Sequence, residues 1–264
     1  MQFYPWQSGR YDVSPSLRRF GTDFGNGDWD GDYFPRDDEA ARAIEEKRRT
    51  LADGSEAFVG EFQLSDAVRA VVTEWVANAS GQTQGGLDEM LRNVAEDLAI
   101  VSTEADRDWI SYLHLCSPSH WAMADKIGTS FFETHLPVPG IERVNAAATG
   151  LVRAMVQGGP KVRFVWTVES DNDFNHHPSR PPGRDFAQSG TFWVRWERQV
   201  TVGLPEVKAA LFLIRVGFCS REEIITDPVL RDPLVSALES MSGASRQYKG
   251  LGGGTFGELM KLLL

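Results

Sequence analysis

The sequence predicts an α+β fold, and three observations predict it. Before about residue 97 the apolar residues recur at helical spacing; from there to about 220 they fall in strand-like runs; beyond Arg221 helical spacing returns. Elements grouped by kind, without strict strand–helix alternation, indicate α+β and not a doubly wound parallel sheet. The expectation is an antiparallel sheet of about five strands with inserted helices, flanked by N-terminal and C-terminal helices. The chain is read as one domain over 1–264, with an arm and helices over 1–85, a core over 86–220 and closing helices over 221–264.

The first thirty-six residues are rich in Gly, Pro, Asp and aromatics and read as an irregular arm packed by its rings. "RDDEAARAIEEKRRTLA" is a helix with acids early and bases late, as the helix dipole favours. In "QLSDAVRAVVTEWVANAS", Ser65 is an N-cap and Val68, Val71, Val72 and Trp75 form one stripe. After the loop "GQTQGG", "LDEMLRNVAEDLA" reads as a third helix. "LAIVST" and "RDWISYLHLCS" read as paired strands turning at "EADR". Ser119 to Leu136 reads as one helix, followed by a second in "GIERVNAAATGLVRAMVQGG". "KVRFVWTVES" is a strand, and "GTFWVRWERQVTVGL" with "VKAALFLIRVGFCS" forms a hairpin turning at Leu204-Pro205-Glu206. The tail is helical with a Gly-rich break at "YKGLGGG".

Composition narrows the function. The 264 residues carry 27 basic and 37 acidic side chains, a net charge of −10, which disfavours nucleic acid or an anionic membrane as partner. Cys116 and Cys219 are far apart and form no paired ligand motif, so a reducing cytoplasm is expected. The N-terminal stretch has no secretory pattern, and no apolar run reaches the ~20 residues that span a bilayer.

Several candidate sites are weighed on spacing. Asn26, Asp28, Asp30, Gly31 and Asp37 follow an EF-hand-like order, but Pro35 and the short acid at the last position favour a plain turn. His114, Cys116 and His120 match no common zinc spacing. His176 and His177 lie in a long, proline-rich loop, solvated or serving as a lid. "KGLGGGTFGE" lacks the Lys and Ser/Thr that a phosphate loop needs.

His135 shares a helical face with Gly128, Phe131 and Phe132, at spacings of seven, four and three. Spacing alone leaves a core histidine ahead of a metal ligand. A buried imidazole beside a glycine and aromatics also suits the axial ligand of a haem, with Pro137 and Pro139 fixing the helix end. Arg163, Arg195, Arg198 and Arg215 are available cations; Arg195 and Glu197 share one face of their strand, Trp196 and Arg198 the other. Arg215, alone in "LFLIRVGF", is expected to be buried and in need of an anion, with Glu197 as a structural partner.

"AEDLAIV", "LHLCSPSHWAMADKIGTSFFETHLPVPG", "VRWERQVTVGLP", "FLIRV" and "YKGL" together resemble the haem-dependent oxidative N-demethylase family. Its E-D-L, C-x-P-S-x-W, K-x-G, I-H-x-P-V and R-x-E-R-Q elements occur here in the same order, from about Phe34 onward. The resemblance implies a PAS-like sheet holding haem b, and O₂-dependent oxidation of an amine with release of formaldehyde. It implies separate reductase partners carrying flavin and iron–sulfur centres. It makes His135 the axial iron ligand and matches Arg195, Glu197 and Arg198 to R-x-E-R-Q, where an arginine would bind a propionate; Gly128 and Phe131 beside His135, and Arg215 as a further cation, are the candidates added by their positions. Glu197 would pair with a cationic amine, and Tyr112 would donate a distal hydrogen bond. A haem- or ligand-binding PAS-like sensor or carrier without turnover is the alternative. Two spellings depart from the family: Arg163-Phe164-Val165-Trp166 lacks the Asn of R-x-N-W, and "THLPV" replaces the isoleucine before His135.

Overall fold

The computed structural model describes residues 3–180 and 184–264. Seven strands form one open antiparallel sheet: β1 Arg18–Arg19, β2 Val59–Glu61, β3 Asp97–Glu104, β4 Arg107–His114, β5 Lys161–Glu169, β6 Trp193–Leu204 and β7 Ala209–Ser220. Their order is β1-β5-β6-β7-β3-β4-β2. The five long strands are those expected from the sequence. Two additional short strands, β1 and β2, pair onto the outer edges at β5 and β4. Neither was legible, because a two- or three-residue strand has no period to read.

The helices are α1 Asp38–Ala52, α2 Asp66–Ser80, α3 Leu87–Leu91, α4 Phe131–His135, α5 Glu142–Ala146, α6 Ala148–Gln157, α7 Phe186–Ser189, α8 Arg221–Thr226, α9 Pro228–Glu239, α10 Gly243–Tyr248 and α11 Thr255–Leu263. Ser65 caps α2 by accepting the Val68 N–H, as its position predicts. The third helix is shorter than expected and stops at Leu91, because Asp97 already pairs with Ile214 in the sheet. No helix among the described residues is long and apolar enough to cross a membrane.

Directly paired residues of an antiparallel sheet share a face, so the register sorts the side chains. Arg163, Val165, Thr167, Arg195, Glu197, Gln199, Val216 and Phe218 lie on the front face. Trp166, Trp196, Arg198, Arg215, Leu213, Leu98 and Tyr112 lie on the back. The back is the larger apolar core. Val68, Val72, Val76, Met90 and Leu91 of α2 and α3 close one half of it, while Leu234, Leu238, Leu259 and Leu263 of α9 and α11 close the other. The arm packs by its rings as expected, with Trp6 fully buried against Trp166 and Trp29 edge-on to Trp196.

The front is covered by α1, α6 and the two long connections at 115–130 and 170–177. Here α6 lies so close to β6 that a Cβ on Gly203 would fall 2.4 Å from the Val156 carbonyl oxygen. β7 continues past the start of β3, and Glu39 of α1 accepts the Phe218 N–H on that uncovered edge at 3.1 Å.

Ser119–Leu136 is not one helix. It contains a 3₁₀ turn at Met123–Asp125, a left-handed residue at Gly128 (φ +79°) and the short α4. The Gly128 N–H donates to the Ile110 carbonyl and the Ile110 N–H to the Thr129 carbonyl, so the segment is bound to β4 and cannot wind. The calcium-like spacing is likewise taken up internally. Asp30 accepts from the backbone N–H groups of Phe24 and Asn26 and from the Asn26 amide, and Asp37 caps α1 and pairs with Arg215.

Candidate functional site

His135 ends α4, a single turn started by a Ser130–Glu133 capping box. Its Nδ1 lies 2.7 Å from the Phe131 carbonyl oxygen, and the two rings are 4.2 Å apart between centroids. A carbonyl only accepts, so Nδ1 carries the proton and the lone pair of the neutral ring sits on Nε2. Nε2 makes no hydrogen bond among the described residues. Burial lowers the His135 pKa, with Arg163 and Lys126 adding to the effect and the Phe131 bond opposing it, so the ring is neutral at pH 7. Lys126, the lysine of K-x-G, donates to the Thr134 carbonyl at 2.8 Å and holds the end of α4.

Arg163, on the front of β5, is near enough for its charge to lower this histidine's pKa. It has no hydrogen-bond or ion-pair partner among the described residues, and its Nε is buried and unpaired. Burial depresses its pKa, and Glu197 partly restores it. Arg163 is half-buried, and a guanidinium without a partner at such a place favours an anion beside it.

Glu197 is half-buried on β6, one strand from Arg163, and accepts from the Gln199 amide at 2.8 Å. Directly opposite it on β5 stands Val165, the position where the family tends to carry Asn. Lys249, just beyond α10, donates to the Trp166 carbonyl at 3.0 Å. Burial brings Lys249 down to about 8 despite the opposing field of Glu197. Sequence reasoning passed over Lys249; its signal was the "YKGL" string, a lone lysine at a helix end next to glycine.

The other expected site residues are placed differently. Arg195 is on the front with both terminal nitrogens engaged and only its buried Nε unpaired: it donates to the carbonyls of Ser117 at 2.6 Å, Phe174 at 2.9 Å and Asp173 at 3.3 Å. Arg198 lies on the back and holds the arm through the Trp29 and Asp32 carbonyls at 2.7 and 2.8 Å. Arg215, also on the back, pairs with Asp37 at 2.8 Å and lies 3.8 Å from Glu96, so its partner is not Glu197. These three arginines are structural anchors and not cations free for a propionate. Tyr112 points into the back core beside Leu98 and Ile100, its hydroxyl unpaired, on the face opposite Glu197. It cannot serve as a distal donor on the front. Gly128 is a turn residue against the Phe62 ring, 3.2 Å from where a Cβ would stand, and not an opening beside His135 on a helix. Phe131 does adjoin His135, and Phe132 is exposed.

The zinc trio of the sequence is split. His114 and Cys116 face each other at 3.8 Å, whereas His120 lies with Glu169 at 3.1 Å and stacks on His176. The "HH" loop is therefore not simply solvated. His176 is buried and its Nε2 bonds Asp171 at 2.7 Å, while His177 bonds Ser179. Residues Pro181, Pro182 and Gly183 of that loop lie outside the described residues.

The remaining family-like strings serve the frame. Asp97 of E-D-L accepts the Ser117 N–H at 2.6 Å and meets the buried Lys47 at 3.4 Å, fixing the exit of β4. Two groups decide whether a haem suits the front face. His135 offers an unprotonated, unpartnered Nε2, and Arg163 offers a half-buried cation without an anion, close enough to depress the histidine. A histidine with a free nitrogen and an unpaired cation beside it are a donor set compatible with a haem. A family model described as haem-dependent oxidative N-demethylase, alpha subunit-like, matches residues 33–253. The chain belongs to that family.

Proposed function

From that membership, we propose that this chain is a haem-dependent oxygenase that removes a methyl or similar group from a small amine. The observation that carries the proposal is the presence of His135 and Arg163 on one face: a histidine with a free Nε2, within the field of a guanidinium that has no anion. The order of the five long strands, with β7 between β6 and β3, supports the PAS-like reading of the sheet.

In this reading His135 Nε2 binds the iron of haem b, and the Phe131 carbonyl fixes its tautomer through Nδ1. Arg163 and Lys249 take the propionates. Bound haem supplies the activation of O₂. Overall, an N-methyl amine, O₂, two electrons and two protons give the demethylated amine, formaldehyde and water; the electrons come from a separate reductase.

Glu197 stands in the field of Arg163, Arg195 and Lys249. Once two propionates engage Arg163 and Lys249, Glu197 is left as an anion able to hold a substrate ammonium. Val165, opposite Glu197, presents an apolar surface where Asn would offer hydrogen bonds. The preferred amine is therefore more apolar beside its nitrogen than dimethylamine.

The test is an absorption spectrum of the purified protein, with haemin supplied, followed by assay of formaldehyde from N-methyl amines with a chemical or enzymatic reductant. A Soret band that is lost or shifted in His135→Ala is expected. No band after reconstitution, or an unchanged band in the variant, overturns the assignment. A haem-loaded protein that releases no formaldehyde would favour a sensor or carrier.

A further inference from the structure

Away from His135, the connections at 115–121 and 170–177 meet over one end of the front face. They are joined by a parallel bridge between Ser119 and His176, with the His120 N–H on the His176 carbonyl at 3.0 Å and the His176 N–H on the Pro118 carbonyl at 3.1 Å. This bridge places His120 and His176 side by side, their rings 4.9 Å apart and 11° from parallel. Glu169, at the end of β5 and fully buried, closes the group. One ligand atom from each of the three residues can be chosen so that all lie within 4.8 Å of one another.

The hydrogen bonds sort the atoms into inner and outer ones. His176 Nε2 bonds Asp171 Oδ1 at 2.7 Å. An ionised carboxylate accepts, so the proton sits on Nε2 and Nδ1 keeps its lone pair. His176 is only 3% exposed, and Nδ1 has no partner although it is buried. A carboxylate on the outer nitrogen and a bare lone pair on the inner one is the arrangement of a metal-bound histidine. Arg184 donates to Glu169 Oε1 at 2.7 Å, and His120 Nε2 lies 3.1 Å from both Oε1 and Oε2; the carboxylate accepts, so this nitrogen carries a proton that a bound metal ion would displace. A cation bound through Oε2 would leave the Arg184 contact in place.

We propose that His120, Glu169 and His176 form a binding site for a divalent transition-metal ion of the zinc class. Two imidazoles and one carboxylate are a donor set that zinc takes at about 2.0–2.2 Å, leaving a fourth position for water. Nothing in the proposal depends on haem. The second buried group, Asp97 with His114 and Cys116, is not such a site. The Lys47 ammonium lies inside it, 3.4 Å from Asp97, and burial pushes the Cys116 thiol up, so the sulfur stays protonated.

The experiment uses the full chain, expressed with zinc and purified without chelator. Zinc per chain is measured by elemental analysis, and affinity by competition with a coloured chelator; the haem band is recorded on the same samples. About one zinc per chain is expected, with Tm falling when the metal is stripped. Asp171→Asn, which touches no ligand atom directly, is expected to weaken zinc by roughly 10–100-fold. His120→Asn and His176→Gln should lose stoichiometric zinc, and Cys116→Ser should keep it. Wild-type protein without zinc, unchanged affinity in both Asp171→Asn and His120→Asn, or loss of zinc in Cys116→Ser overturns the site. A missing haem band with zinc present overturns the proposed function alone.

Discussion

Arg195 donates through Nη2 to the carbonyl of Ser117 at 2.6 Å, across 78 positions of sequence. The same guanidinium holds the carbonyls of Asp173 and Phe174. One side chain from the middle of the sheet thus ties together both connections that cover the front face. The residue is fully buried, and losing it would leave the carbonyls of the buried Ser117 and Phe174 without their donor.

Arg195→Met is expected to destabilise the protein by about 3 kcal/mol, read as a shift in the urea midpoint at constant slope. Arg195→Lys should recover less than half of this, because one ammonium cannot fork to carbonyls on two segments. A midpoint within error of wild type would show that the three bonds contribute nothing net.

Arg163 predicts effects of opposite sign in two assays. Arg163 is half-buried with no partner and a buried Nε, so Arg163→Gln should leave the haem-free protein as stable as wild type or slightly more stable. The same variant should bind haem at least ~10-fold more weakly, a loss of about 1.4 kcal/mol. Its His135 should also titrate higher, because one of the groups that lowers it is gone. NMR of the ring protons and a haem titration read the two results; unchanged haem affinity removes Arg163 from the site.

Gly203 carries the docking of α6 on the sheet. A Cβ there would stand 2.4 Å from the Val156 carbonyl oxygen, 2.7 Å from that of Met155 and 2.9 Å from that of Gly158. These are backbone atoms at a helix end and cannot turn aside as a side chain would. Gly203→Ala should cost about 1–3 kcal/mol, measured by thermal denaturation. Because α4 rests on α6, it should also broaden the signals of His135.

Much of this was legible in the sequence. The five long strands announced themselves by alternating or continuous apolar runs, and Ser65, Pro205 and the "EADR" turn marked their neighbours. The front-face pairing of Arg195 with Glu197 followed from period two. Residues 119–136 were not legible. Phe131, Phe132 and His135 have helical spacing, but the backbone of Gly128 and Thr129 bonds to Ile110, a partner in another element. The arginines misled for a related reason. A buried Arg in a strand needs acceptors, but sequence does not say whether they are carboxylates of a cofactor or carbonyls of a loop. Arg195 and Arg198 chose carbonyls and Arg215 the Asp37 carboxylate, and of these four arginines Arg163 is the one without a partner among the described residues. The His120–Glu169–His176 group draws on three distant segments, and nothing local joins them.

Lys249 gives a prediction in pH. Burial lowers it from the ordinary 10.5 to about 8 in the fold, with Glu197 opposing. Between these values the folded chain has released a proton that the unfolded chain still binds. Stability from this group therefore rises with pH from about 8 to 10.5, with a slope approaching ~1.4 kcal/mol per unit. Below pH 8 both states are protonated, the slope vanishes, and the cost of the buried charge is carried in full. Lys249→Met should flatten the rise and be relatively more stable at pH 7 than at pH 10. Urea denaturation of both proteins at several pH values measures the difference, and an equal slope in the two would assign the titration elsewhere. In the haem-loaded protein a propionate against Lys249 should keep the ammonium charged, which moves the rise to higher pH.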